Sequence, residues 1–248
     1  MTTMAAIPTT YDKAFSPIAG IIPVAFLRAL AYNESSLNPN EVTKNSNATG
    51  LFQITQTVLN DYNLQHGTKY KLADVKDPNL NAKIGVELIT RIVKNYQTNH
   101  PRSLAMNWKD PRYVQLLVQG YNAGYSEANG VGFVVGNLEK KGVQPAQITV
   151  DAVAKAAPGL KASRFLSMPQ RVSYAKAVAN TYFNELAIDN AKAKPPAPLV
   201  SKAPKAASNT GLFGNAFVAL LFPLVPMAGV VLANAINKAK KHAKNLKY

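Results

Sequence analysis

Ile21-Ile22-Pro23-Val24-Ala25-Phe26-Leu27-Arg28-Ala29-Leu30-Ala31-Tyr32-Asn33-Glu34-Ser35-Ser36 is the stretch on which the fold turns. Pro23 suits the first turn of a helix, where a missing N–H is no loss. Val24, Leu27 and Ala31, with Phe26 and Leu30, recur at three- and four-residue spacing, which predicts a helix with one face in the core. Ser35 and Ser36 compete for backbone hydrogen bonds, and Asn38-Pro39 then stops the helix. Glu34 therefore sits where an apolar helix opens into a polar loop. A carboxyl held against apolar neighbours keeps its proton to higher pH, as a general acid needs. A helix-end glutamate in solvent, or one accepting an ordinary hydrogen bond, fits the same residues.

Two later segments bear on that choice. Ser46-Asn47-Ala48-Thr49-Gly50-Leu51-Phe52-Gln53-Ile54-Thr55 follows a short polar loop, and Gln119-Gly120-Tyr121-Asn122-Ala123-Gly124-Tyr125 comes much later. The order Glu-Ser-Ser, Gly-Leu-Phe-Gln and Tyr-Asn-Ala-Gly resembles the soluble lytic transglycosylase family, relatives of goose-type lysozyme. Asp77-Pro78-Asn79-Leu80-Asn81-Ala82-Lys83-Ile84-Gly85 looks like that family's segment between its second and third motifs. The resemblance covers residues 21–128 and, more weakly, extends to Tyr182. Each motif is short, and the signal lies in four of them in the right order.

The resemblance implies cleavage of peptidoglycan between N-acetylmuramic acid and N-acetylglucosamine by one glutamate, first acid and then base. The muramoyl 6-hydroxyl attacks in place of water and leaves a 1,6-anhydro end, outside the common two-carboxylate scheme. By the same resemblance Glu34 is the acid/base. Ser35 orients its carboxyl or holds an N-acetyl group, unless its hydroxyl makes a helix-end bond. Gln53 offers sugar a donor and an acceptor, or else bridges backbone near Gly50. Tyr121 and Asn122 match the Tyr-Asn pair, Tyr121 with a ring face for a pyranose or simply packed in the core. Tyr174 is the candidate to position Glu34, with Tyr182 and Tyr125 also open. Glu41 and Glu127, the nearest other carboxylates, read as solvated. The chain departs from the family at Phe52, where Met is usual, and at Gly120, where Ala is usual. Ser167-Met168-Pro169-Gln170-Arg171-Val172-Ser173-Tyr174 also lacks the family's acidic residue near the late tyrosine.

Composition removes several classes of chemistry. The chain has 248 residues, 47% of them hydrophobic, and no cysteine, so disulfides and thiolate metal sites are excluded. His66, His100 and His242 are too scattered to mark a metal site, and no cofactor is expected. Gly130-Val131-Gly132-Phe133-Val134-Val135-Gly136 has the wrong spacing for a dinucleotide fingerprint. Net charge is +15 and uneven, with no acidic residue after Asp189. Such a basic surface attracts anionic wall polymer, anionic lipid or nucleic acid.

The expected architecture is mainly α, a lysozyme-like transglycosylase domain with a C-terminal hydrophobic, membrane-associated segment. Residues 1–17 read as an N-terminal extension and 18–189 as the catalytic domain. Within it, helices are expected over 55–63, 83–96 with Asn81 near its start, 112–123, 151–157 and 170–188. Residues 126–150, rich in glycine, read as an irregular connector, a lid or a groove lining, and a small hairpin is compatible with the fold. Residues 190–210 form a Pro/Ala/Lys linker. Residues 212–236 carry no charge, long enough for a bilayer span of ~20 residues, although Pro223 and Pro226 kink it. The membrane segment is drawn at 211–237 and a lysine-rich tail at 238–248, able to touch DNA phosphates non-specifically. No signal peptide opens the chain. The expected setting is therefore a phage virion acting in the host periplasm or envelope during genome ejection, beside other virion proteins. A bacterial wall-remodelling transglycosylase, a hydrolysing lysozyme and a non-catalytic glycan-gripping virion protein remain the alternatives.

Overall fold

Helix α2 spans Val24–Ser35, with Pro23 as its N-cap in extended conformation, one residue earlier than its first turn. Ala25, Phe26, Leu27, Ala29, Leu30 and Ala31 are all buried, so the apolar spacing carries the helix into the core. Ser36 and Leu37 both adopt left-handed backbone, at φ 54° and 62°. That conformation disfavours residues with a Cβ. The Ser36 N–H donates to the carbonyls of Ala31 and Tyr32, which ends the helix directly after Glu34-Ser35.

The computed structural model describes residues 6–193, and Ala6–Ala193 forms one compact unit. The remaining α-helices are α1 (Asp12–Phe15), α3 (Gln56–His66), α4 (Pro78–Asn99), α5 (Pro111–Ala123), α6 (Val131–Lys140), α7 (Val150–Ala156) and α8 (Pro169–Ala193). Short 3-10 turns lie between them, one of them Arg164–Ser167. Extended pairing among the described residues is limited to two isolated bridges, Val42 with Thr49 and Thr49 with Ile54. The linker 190–210, from residue 194 on, the hydrophobic run 211–237 and the basic tail 238–248 lie outside the described residues. No helix among the described residues is long and apolar enough to cross a membrane.

Three expectations are corrected. Residues 6–17 are part of the domain: Ile7 and Phe15 are buried, and Asp12 bonds Arg28. Helix α4 starts at Pro78, not near Asn81, because Asp77 caps it by accepting from the Leu80 N–H at 2.8 Å and Pro78 occupies the first turn. The glycine-rich stretch 126–150 contains the regular helix α6. Gly132 leaves room there for the Glu127 carboxylate, which a Cβ would meet 2.0 Å away.

Helices α2 and α5 pack closely on α8. The bonds fix the direction of that packing. Arg28, midway along α2, reaches Glu185 and Asp189 late in α8, while Glu34 at the end of α2 meets Tyr174 early in α8. Gln119 on α5 donates to the Leu166 carbonyl just before α8. Both helices therefore run antiparallel to α8, and the C-terminal ends of α2 and α5 gather at its N-terminal end.

Asn81 is fully buried and holds the Gly-Leu-Phe-Gln segment in place. Its amide nitrogen donates to the carbonyls of Thr49 (2.9 Å) and Val75 (2.7 Å), and its oxygen accepts from the Phe52 N–H (2.8 Å). A buried amide is tolerated because its donors and acceptor are matched. Gly50, at φ 80°, lies against that amide, and a Cβ there would fall 2.2 Å from it. Phe52 in turn fills the space beside Gly85, where a Cβ would sit 2.6 Å from the ring. The departure at Phe52 thus has its room made by the glycine of α4.

Candidate active site

Glu34 is the last residue but one of α2 and is half-buried: some side-chain surface stays open, yet protein atoms crowd the carboxyl. Burial pushes its pKa up to about 7, against opposition from the Tyr174 hydrogen bond and the Arg171 charge. The Tyr174 hydroxyl donates to Glu34 Oε1 at 2.6 Å. Burial, then the Glu34 charge, raises the Tyr174 pKa well above its ordinary value, so the phenol remains a donor. Tyr182 is excluded from this role. It is buried against Phe26 and Trp108 in the core.

Tyr121 closes α5. Its hydroxyl donates to the Phe52 carbonyl at 2.6 Å, joining the Tyr-Asn motif to Gly-Leu-Phe-Gln. Burial and then the charge of Glu34 raise its pKa, so Tyr121 stands within electrostatic reach of the Glu34 carboxyl. Gln53 follows Phe52 in left-handed backbone at φ 47°. Its Oε1 accepts from Thr43 Oγ1 at 2.6 Å, and its Nε2 donates to the Gly50 carbonyl at 3.0 Å. Ser36, Leu37 and Gln53 are three non-glycine left-handed residues flanking one site. Strain of this kind persists where the surrounding structure holds it and clusters at ligand sites.

Asn122 accepts from Arg171 Nη1 through both its backbone carbonyl and its Oδ1. Arg171, on the first turn of α8, is half-buried, and its guanidinium lies over the Phe165 ring, 4.7 Å from the centroid. Glu34, Tyr121, Tyr174 and Asn122 are thereby gathered where α2, α5 and α8 meet. A cavity of about 370 Å³ beside Arg102, Glu139 and Gln144 is lined by none of them.

The model of the family described as the transglycosylase SLT domain matches residues 19–141, which carry Glu34, Gln53, Tyr121 and Asn122. Residues 19–141 are a transglycosylase domain of the soluble lytic type. Among solved structures, that of the 70 kDa soluble lytic transglycosylase from Escherichia coli is similar, with a TM-score of 0.51 at 19% identity. The match covers 74% of this chain and 25% of that one, so the chain corresponds to about a quarter of that enzyme's length. At this identity the likeness concerns the fold. No curated protein matches the chain.

In this chain two expected sugar contacts are engaged with protein. Ser35 is buried, and its hydroxyl faces the carbonyls of Ala31 and Leu51, each at 3.1 Å. It ties the end of α2 to the Gly-Leu-Phe-Gln segment and does not bond the Glu34 carboxyl, so it makes the helix-end bond that was the alternative to substrate binding. Gln53 likewise bridges backbone near Gly50. Glu127, read as solvated, bonds the buried His100 at 3.0 Å. Glu41 is exposed, and its carboxylate accepts from Asn38. Among the described residues no cluster of His, Cys, Asp and Glu could hold a metal. Arg171 escaped the sequence reading. The signal was its position three residues before Tyr174, which puts both on one helix face.

Replacing Tyr174 by Phe removes the one direct hydrogen bond to Glu34. A bond to a charged group contributes about 1.5–3 kcal/mol, so turnover should fall roughly 10–100-fold. Because the phenol favours the ionised carboxylate, its loss raises the Glu34 pKa above about 7. The alkaline limb of the pH–rate profile should therefore move to higher pH. A limb that stays put while turnover falls would assign Tyr174 a purely structural part.

Proposed function

We propose that this transglycosylase cleaves the bond between N-acetylmuramic acid and N-acetylglucosamine with Glu34 as the sole acid and base. The carboxyl first gives its proton to the glycosidic oxygen. The bond from that oxygen to muramoyl C1 breaks, and the N-acetylglucosamine leaves with a new hydroxyl. The Glu34 carboxylate then takes the proton of the muramoyl 6-hydroxyl as O6 bonds C1, which regenerates the acid and closes the 1,6-anhydro ring. Tyr174 and Arg171 stabilise the carboxylate between the two steps, and burial restores its affinity for the proton. The observation that carries this reading is a carboxyl with a pKa of about 7, bonded by Tyr174. An acid/base that must be protonated for one step and ionised for the next works best with a pKa near the operating pH.

The match to the transglycosylase SLT domain supports the intramolecular attack over two-carboxylate hydrolysis. Mass analysis of the muropeptides released by the purified protein separates the two. Products with 1,6-anhydro ends, lighter by one water than hydrolysis products, are expected, and reducing ends alone would assign a hydrolase. We further place the activity in a phage particle that opens the host wall during genome delivery. Support is compositional: the uncharged run 212–236 followed by lysines suits a segment that engages an envelope. Detection of the chain in purified particles is the expected result.

A further inference from the structure

The cavity of about 370 Å³ opens between the end of α4 and the end of α6. One wall is Asn99 with the turn 101–103, the other Glu139 with residues 142–145. The walls are tied to each other and to α5. His100 Nδ1 lies 2.8 Å from Glu139 Oε2, and Arg112 Nη1 donates to the carbonyls of Ser103 at 2.7 Å and Ile148 at 3.3 Å. A site already rigid loses little on binding. Arg112 stands on the first turn of α5 and Tyr121 on its last, about 14 Å apart along the axis at ~1.5 Å per residue. The cavity is thus at the opposite end of α5 from the Tyr-Asn pair.

Its charge is one-sided. Arg102 is exposed on the lining, and Lys140 and Lys141, also exposed, stand between the lining residues Glu139 and Gly142. None of the three has an acidic partner within ion-pair distance among the described residues. All thirteen acidic residues of the chain lie in that described part. The one carboxylate on the lining, Glu139, turns its Oε2 to His100. The backbone acceptors at the end of α6 are engaged as well, because the N–H groups of Lys141, Gly142 and Val143 donate to the carbonyls of Asn137, Leu138 and Glu139. Three cations thus stand against one engaged carboxylate, and the cavity favours an anion.

The volume is that of a small-molecule pocket, more than a bare ion fills. Pro101, Val143 and Pro145 put carbon on the lining, and Asn99 and Gln144 carry amides. No aromatic residue lines it, so a nucleotide base finds no ring to stack on. We propose that this cavity binds a polyol phosphate, the repeating unit of a phosphate-rich anionic wall polymer. Arg102 takes the phosphate through its fork, Lys140 and Lys141 supply the field, and the amides and prolines hold the polyol. The site is separate from Glu34 and stands whether or not that residue cleaves glycan. A polymer held here keeps the chain on the envelope.

Calorimetric titration of the full chain with glycerol 3-phosphate, inorganic phosphate and glycerol tests the site. The ester should bind most tightly and glycerol not at all. Arg102→Gln should weaken the ester about 5–10-fold, as loss of a charge-assisted contact at an exposed position does. Arg102→Lys, which keeps the charge but loses the fork, should fall between. Equal affinity for the ester and inorganic phosphate, or unchanged affinity of Arg102→Gln, overturns the proposal. An oligonucleotide that displaces the ester more readily than poly(glycerol phosphate) overturns it in favour of nucleic acid. The lysine-rich tail also attracts polyanions, so sedimentation with cell walls is read as the difference between the wild-type chain and Arg102→Gln at one salt concentration. That difference should be present on walls carrying polyol-phosphate polymer and absent on walls stripped of it by hydrofluoric acid. A difference that ignores the polymer, or none on either wall, overturns the site.

Discussion

Glu34→Gln should reduce peptidoglycan cleavage by about 10³-fold or more, toward the upper end of what positioned acid–base groups contribute. On the proposed mechanism one residue serves both proton transfers, so its loss removes both at once. Gln keeps the shape, and its amide oxygen can still accept from Tyr174, so glycan binding should be largely kept. Sedimentation with insoluble peptidoglycan checks binding, and release of soluble muropeptides checks turnover. Cleavage at the wild-type rate would remove Glu34 from the mechanism.

The same substitution has a second, opposite effect. The Glu34 pKa is raised from its ordinary value of 4.5 to about 7 in the folded protein. Between those values the folded state binds more protons than the unfolded chain, so stability falls as pH rises through the window. Above pH 7 the penalty is complete, at about 2–4 kcal/mol. Gln carries no charge to desolvate. At pH 8 the variant should therefore melt several degrees higher than the wild-type protein, at about 2–4 °C per kcal/mol for a domain of this size. The difference should vanish below pH 4.5, where both states of the wild-type chain are protonated. Equal melting temperatures at pH 8 would mean that water reaches the carboxyl freely and that its proton affinity is not raised.

The acid was legible because apolar spacing alone carries α2 into the core and leaves Glu34 at its polar end. Tyr121 was legible by its motif, and Tyr174 was the favoured one of three tyrosines. What separates them is three-dimensional: Tyr182 is directed into the cluster of Phe26 and Trp108, while Tyr174 faces Glu34 from the turn where α8 begins. Ser35 and Gln53 take the backbone-bonding roles that stood as alternatives to sugar contact, for a common reason. A motif reports that a polar side chain is required, and both satisfy backbone carbonyls with it. Helix α6 was hidden because glycine lowers helix propensity, yet Gly132 makes room there for a carboxylate that arrives from the preceding loop. Asn81 looked like a helix start. It is a buried clamp whose three partners are 6, 29 and 32 residues away, beyond the reach of any local pattern.

Arg28→Met should cost about 3–5 kcal/mol of stability, the range for breaking a buried ion pair from one side. Arg28 is 3% exposed within an apolar helix. Burial opposes its charge, but the hydrogen bonds it donates to Asp12, Asp189 and Glu185 outweigh burial and raise its proton affinity. Its guanidinium contacts Glu185 at 2.7 Å, Asp12 at 2.8 Å and Asp189 at 3.0 Å. Met fills similar volume and removes the fork, leaving Glu185 buried with only the Ile7 N–H, at 3.0 Å, to satisfy it. Asp12 and Asp189 are partly exposed and can turn to water, so the penalty concentrates on Glu185. Thermal melting at neutral pH should show a fall of roughly 6–20 °C. If the orphaned carboxylate is the cause, Glu185→Gln added to Arg28→Met should recover part of the loss, a coupling that a simple packing defect would not show. Arg28 with Glu185 and Glu34 with Tyr174 are two ties between the same antiparallel helices, one structural and one chemical. Loosening the first should therefore reduce turnover below the melting transition as well, whereas unaltered turnover there would show that the lower part of α8 holds Tyr174 in place without it.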